Sequence, residues 1–173
     1  MLKKIEQLLE KKPELSEKII LENEFEIDFL TFNNRPFLGA TSIITQGIRK
    51  LSNCDKDIIF IYSTFSESVN FELISLIATY LDLHYFKQDY HIDFGDILYI
   101  NNFKLIAGTD FEGFYTLHPS YYEGILENDK YIWLLPIFKS EFDYIKKYGS
   151  DAFQEIIEMK DPDLSDLKRF SII

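Results

Sequence analysis

Tyr131 to Gly149 reads Tyr-Ile-Trp-Leu-Leu-Pro-Ile-Phe-Lys-Ser-Glu-Phe-Asp-Tyr-Ile-Lys-Lys-Tyr-Gly. The run from Tyr131 to Ile137 is nearly all apolar, and a run that short reads as a strand buried on both faces. Pro136 has no N–H to give to a ladder, so it belongs near a strand end or at an edge. Ser140, with Asp143 three residues on, has the capping-box pattern in acidic form and predicts a helix start. Gly149 fits the left-handed position that stops that helix. Ser150 then caps a last helix that turns Phe153, Ile156 and Ile157 inward, and Asp161-Pro162 ends it.

Upstream, further strands are interspersed with one long helix. Asp57 to Ser63 holds Ile58, Ile59, Phe60, Ile61 and Tyr62 in a row, another strand buried on both faces. Val69 to Tyr85 keeps the helical period through Phe71, Ile74, Ala78 and Leu81, with Leu73, Leu76 and Tyr80 widening the stripe and Ser68 as its cap. Thr41 to Gly47 is a β-rich run ending at a glycine. Glu24 to Phe29 alternates polar and apolar, a strand with one wet face at an edge or in an antiparallel position. Asn33-Asn34-Arg35-Pro36 is a turn. Asp96 to Ile100 and Phe103 to Ala107 read as two short strands split by Asn101-Asn102, and Phe114 to Leu117 as another strand ended by Pro119. At the start, Leu2, Ile5, Leu8 and Leu9 share a helical face, and Pro13 opens a second short helix with Leu15, Ile19 and Ile20 inward. Without a regular alternation of strand and helix, the pattern predicts an α/β protein of the α+β type: a mixed, largely antiparallel sheet flanked by helices. The length fits one domain over residues 1–173, with a helical segment of about residues 1–22 packed onto it.

Composition narrows the function classes. The chain carries 29 acidic against 18 basic residues, a net charge of −11. Such a charge repels phosphate backbones, so nucleic acid is not the expected partner, whereas a basic protein is attracted. No continuous apolar stretch reaches membrane-spanning length, and the charged N-terminus lacks the apolar core of a signal peptide. The expected location is the cytoplasm. The single Cys54, in Ser52-Asn53-Cys54-Asp55-Lys56, cannot close an internal disulfide and has no histidine near it in sequence, so it reads as an incidental thiol.

Chemistry-bearing motifs are sparse. No Gly-x-Ser-x-Gly elbow, phosphate-binding glycine loop or His-Glu-x-x-His is present, so no catalytic residue, cofactor or metal is assigned and the chain is expected not to be an enzyme. Asp89-Tyr90-His91-Ile92-Asp93, with His84 and Asp96 close by, has divalent-metal donors, but the same residues are ordinary turn formers and the loop reading is preferred. His118 is a lone base with no nameable nucleophile. A hydrolase using His91 or His118 is the weakest reading. Tyr115, Tyr121, Tyr122, Tyr131 and Trp133 offer either a binding surface or core filling; Trp133 reads as core, and Tyr121 and Tyr122 stay open. Tyr121 and Tyr122 fall in a loop beside Glu123, Glu127 and Asp129, and an acidic loop with exposed tyrosines suits capture of a basic protein.

The ordered landmarks resemble the suppressor-of-fused domain. Thr45-Gln46-Gly47-Ile48 is similar to its early Thr-x-Gly-hydrophobic turn, Asp57 to Tyr62 to the strand after it, and Leu73 to Tyr80 to its central helix. Gly95, Leu117-His118-Pro119, Leu134-Leu135-Pro136-Ile137, Glu141 and Gly149 follow in order, and Asp166 with Arg169 matches the closing acidic-x-x-Arg pattern. Ile48-Arg49 stands where the family usually has Leu or Met followed by Ser. The resemblance covers Phe25 to Ile173 and implies protein binding without catalysis. The animal member grips a short transcription-factor peptide between domains. Stand-alone bacterial members of this length resemble immunity proteins of polymorphic toxin systems, which neutralise a cognate toxin domain, often a nuclease. A nuclease presents a basic surface to its phosphate substrate, and an acidic inhibitor complements it. A general peptide-capturing module that adds a strand to an exposed edge, beside Glu24 to Phe29, is the alternative.

Overall fold

The computed structural model describes residues 2–20, 26–50, 55–63, 67–81, 91–99 and 111–173. In chain order the elements are α1 (Leu2–Leu8), β1 (Leu15–Ile20), β2 (Glu26–Asn33), β3 (Thr41–Gln46), β4 (Asp57–Tyr62), α2 (Glu67–Leu81), β5 (Ile97–Tyr99), β6 (Phe111–Leu117), β7 (Tyr131–Phe138), α3 (Lys139–Tyr148) and α4 (Ser150–Lys160). The strands form one sheet in the order β1-β2-β3-β4-β7-β6-β5. Among the described strands only β4 and β7 pair in parallel; every other described neighbour is antiparallel. The expected mixed, largely antiparallel α+β sheet is therefore the observed one.

The unbroken apolar runs of β4 and β7 are explained by burial on both sides. Ile58, Phe60 and Tyr62 face Leu73, Ile74, Leu76 and Ile77 of α2. Ile59 and Ile61 face the opposite layer, with Ile5 and Leu9 at the N-terminus, Ile145 of α3 and Phe153 of α4. Successive strand residues point to opposite faces, so a strand between two helical layers needs apolar residues at every position. Among the described residues no helix is long and apolar enough to cross a membrane.

Several local expectations are corrected. The segment after Pro13 is not a helix but β1, paired with β2 from Leu15–Thr31 to Ile20–Glu26. Backbone pairing to a distant strand outweighs the weak helical spacing of Leu15, Ile19 and Ile20. Over the described residues Glu26 to Phe29 the strand is antiparallel on both sides, as its alternation allows, and it is not an edge; β1 and β5 are the border strands among the described ones. Pro136 lies in the interior strand β7, but β4 borders β7 only over Tyr131–Trp133, so the proline sits beyond that pairing. Ser68 lies inside α2. Ser140 and Ser150 are not caps. Phe138 and Gly149 occupy the cap positions, and the two hydroxyls instead contact Ser171 Oγ (2.6 Å) and Tyr115 OH (2.6 Å). Glu141 supplies the reciprocal half of a capping box, accepting from Phe138 N–H at 2.9 Å. The strand expected at Phe103 to Ala107 lies outside the described residues.

The end of β3 is closed by a side chain. Thr45 Oγ1 accepts from Ile58 N–H at 2.8 Å and donates to Ile58 O at 3.4 Å, beyond the last ladder pair Ile44–Ile59. Thr45→Val keeps the shape and strands a buried donor and acceptor, so a loss of about 1–3 kcal/mol is expected in chemical denaturation. A wild-type midpoint in Thr45→Val would rule the closure out as a stabilising contact.

Candidate functional site

Residues 118–130 leave β6 and return to β7 across the α3/α4 face of the sheet. Tyr122 and Leu126 fill the core there. The Tyr122 hydroxyl donates to Ser42 Oγ at 2.7 Å, which donates to Arg35 O at 2.9 Å. Tyr122 is thus a buried anchor and not the exposed tyrosine that the sequence allows. Burial lifts its phenol pKa to about 12 despite the bond to Ser42. Anchored from below, the segment presents Tyr121 at the surface, its ring tilted on Trp133 at 5.3 Å and edge-on to Phe37 at 5.3 Å.

The acidic residues of this segment divide. Glu123 and Asp129 are exposed. Glu127 pairs with Lys130 one turn later, which offsets its charge locally. It also lies near the base of β7, where the Tyr131 phenol is raised by burial first, lowered by Arg49, and raised again by Asp57 and Glu127. Arg49 Nε contacts the buried Asp57 Oδ2 at 2.6 Å and its guanidinium lies 5.1 Å from the Tyr131 ring centre. Desolvation raises the Asp57 pKa and Arg49 opposes that rise. The contribution of Asp57 to stability is therefore fully present below the ordinary carboxylate value and is lost as pH rises through its folded value. Arg49 thus has a structural partner in Asp57.

The other sequence candidates are engaged in turn and packing contacts. Asp93 Oδ1 accepts from Phe94 N–H at 2.9 Å, and Asp96 Oδ2 from Asp93 N–H at 2.8 Å. His118 stacks on Phe94 with ring centres 3.5 Å apart. Among the described residues no group of three or more His, Cys, Asp or Glu side chains is gathered as a metal site requires. Cys54, His84 and Asp89 lie outside the described residues.

A second polar constellation joins three elements distant in sequence. Glu141 Oε1 accepts from Arg169 Nη1 at 2.6 Å and from Ile172 N–H at 3.0 Å, and Oε2 accepts from Arg169 Nη2 at 3.0 Å. Arg169 Nη2 also donates to Pro136 O at 2.9 Å. The end of β7, the start of α3 and the C-terminal tail are bound at one point. The tail then spans the sheet's end: Ser165 O accepts from Ser63 N–H at 2.8 Å, Leu164 packs on one face and Leu167 on the other.

The family model of the suppressor of fused protein matches residues 23–170. The chain belongs to the suppressor-of-fused family. Its fold is similar to that of a suppressor-of-fused homolog from Neisseria gonorrhoeae FA 1090, with a TM-score of 0.71, 14% identity, and coverage of 99% of this chain and 94% of that one. The structure of a Sufu–Fu complex matches with a TM-score of 0.66 and 9% identity, covering 99% and 90%. Drosophila Suppressor of Fused matches with a TM-score of 0.67 and 9% identity, covering 99% of this chain and 50% of that one. No curated protein sequence matches. In this suppressor-of-fused chain the landmarks are scaffold: Thr45 closes β3, Gly47 permits the turn after it, Glu141 and Arg169 pair, and Gly149 separates α3 from α4. His118 and Pro119 begin the segment that carries the Tyr121 surface, and the ring contacts of Tyr121 are Phe37 and Trp133. Sequence reading passed over Phe37 and Leu38 beside that surface. The available signal was an apolar pair inside a turn.

Proposed function

We propose that the protein is an immunity protein that neutralises a cognate toxin domain by direct binding, with the segment Tyr121–Asp129 contributing to the interface and no chemistry of its own. The reading is supported by one observation above all: Tyr121 is exposed on an anchored segment whose Glu123 and Asp129 are also exposed. An aromatic anchor beside unburied carboxylates suits a partner with a basic surface, as a nuclease domain has. A peptide-capturing module is the second reading; of the two end strands, β1 carries the exposed apolar residues Leu15 and Ile20 that such capture would use.

Co-expression with the toxin domain encoded by the adjacent gene tests the first reading. The two proteins are expected to co-purify. Glu123→Lys combined with Asp129→Lys is expected to slow association about tenfold at low salt and to flatten its salt dependence. Unchanged association kinetics would exclude this surface, and absence of a complex would exclude the toxin role. His91→Ala and His118→Ala are expected to protect as the unaltered chain does.

A further inference from the structure

The turn between β2 and β3 carries more apolar surface than its geometry requires. Asn34 and Gly39 take the positive φ angles, 54° and 87°, that reverse the chain. Phe37 and Leu38 stand between them, 39% and 88% exposed. Turn chemistry favours polar residues at such a tip, so a nearly bare leucine there has no structural explanation. The tip is also held. Gly39 N–H donates to Asn34 Oδ1 at 3.0 Å, Ala40 N–H to Phe37 O at 3.1 Å and Arg35 N–H to Ala40 O at 3.2 Å. Arg35 Nε and Nη2 both reach Leu9 O at 3.3 Å, tying the turn to the segment after α1.

This tip joins the Tyr121 surface. Phe37 packs edge-on against Tyr121, and the Tyr122–Ser42–Arg35 chain of hydrogen bonds fastens the two segments beneath. Carboxylates flank the Tyr121 side of the patch, while Arg35 in the turn is engaged with Leu9 O. Glu123 lies two residues from Tyr121, and the carboxylates of Asp163 and Asp161, after burial, raise the Tyr121 phenol.

We infer that Leu38, Phe37 and Tyr121 form one preassembled apolar knob that seats in an apolar pocket, rimmed by Lys or Arg, on a basic protein partner. The inference rests on the proposed toxin-binding role and names the contact that gives the complex its lifetime. With Phe37 already packed on Tyr121 and the backbone that carries Leu38 fixed by hydrogen bonds, the chain loses little backbone freedom on binding, and an apolar anchor with charge at its rim is the arrangement of an interface hot spot. Acidic neighbours select a basic rim and govern association, whereas the buried anchor governs dissociation.

The test measures binding of the full chain to the toxin domain encoded by the adjacent gene, by surface plasmon resonance. Leu38→Asp is expected to raise the dissociation rate at least about 30-fold, the loss of a hot-spot side chain, with an unchanged melting temperature. Asp161→Lys with Asp163→Lys is expected to lower mainly the association rate. If the unaltered chain binds and Leu38→Asp dissociates at the same rate, the knob is overturned while the toxin-binding role stands. If the unaltered chain does not bind, both fall. Sedimentation of the chain alone gives a further outcome: self-association that Leu38→Asp abolishes makes a second copy the occupant and overturns the basic partner.

Discussion

Arg169→Met is expected to lower the unfolding free energy by about 3–5 kcal/mol, because it leaves a buried carboxylate without its counter-charge. Glu141 is fully buried and accepts from both terminal nitrogens of Arg169 and from the Phe138 and Ile172 N–H groups. The two backbone donors remain in the variant, but they do not replace a positive charge. Methionine keeps much of the side-chain volume, so the loss reports the charge and its hydrogen bonds, including the one to Pro136 O. In a chain of this size the change corresponds to a fall in melting temperature of about 6–20 °C. Arg169→Lys retains a charge without the forked geometry and is expected to lie between the two. Denaturant unfolding with the slope monitored is the measurement. A loss under about 1 kcal/mol, the scale of an exposed pair, would show that the ion pair is solvated in solution.

Gly47→Ala is expected to cost about 2–4 kcal/mol, from backbone strain and a clash acting together. Gly47 has φ of 118°, and a Cβ added there would lie 2.7 Å from Glu26 O. The obstacle is backbone of β2, which moves only if the β2–β3 pairing moves with it. Gly124 separates the two contributions. It also has positive φ, 75°, but nothing lies within 4 Å of its added Cβ. Gly124→Ala therefore carries the conformational strain alone, about 1–2 kcal/mol. If thermal unfolding ranks the two variants equal, the close approach of β2 to Gly47 is absent in solution.

The legible parts of the fold share one property: their signal is carried by adjacent residues. The apolar run Ile58 to Tyr62 marks a strand covered on both sides, and the period of Ile74, Ala78 and their neighbours marks α2. The stop signals at Gly149 and Asp161-Pro162 fall where α3 and α4 end. The misread parts depend on distant partners. Leu15 to Ile20 spaces its apolar residues as a short helix does, yet the backbone of β2 makes it a strand. Ser140 and Ser150 have cap chemistry, but Ser171 and Tyr115 lie within reach of their hydroxyls. For the candidate surface, the acidic loop and Tyr121 were legible from composition and spacing. The burial of Tyr122 was not, because its partner Ser42 lies 80 residues away.

By itself the sequence determined the layers, the acidity and the family landmarks, because apolar period, charge and turn chemistry act over a few residues. Tertiary structure alone decided which landmarks are structural and which side chains are available. Glu141 meets Arg169 across 28 residues, and Phe37 meets Tyr121 across the gap between a turn and a loop. Such contacts arise from chain reversal and packing, which place residues together without leaving a local pattern.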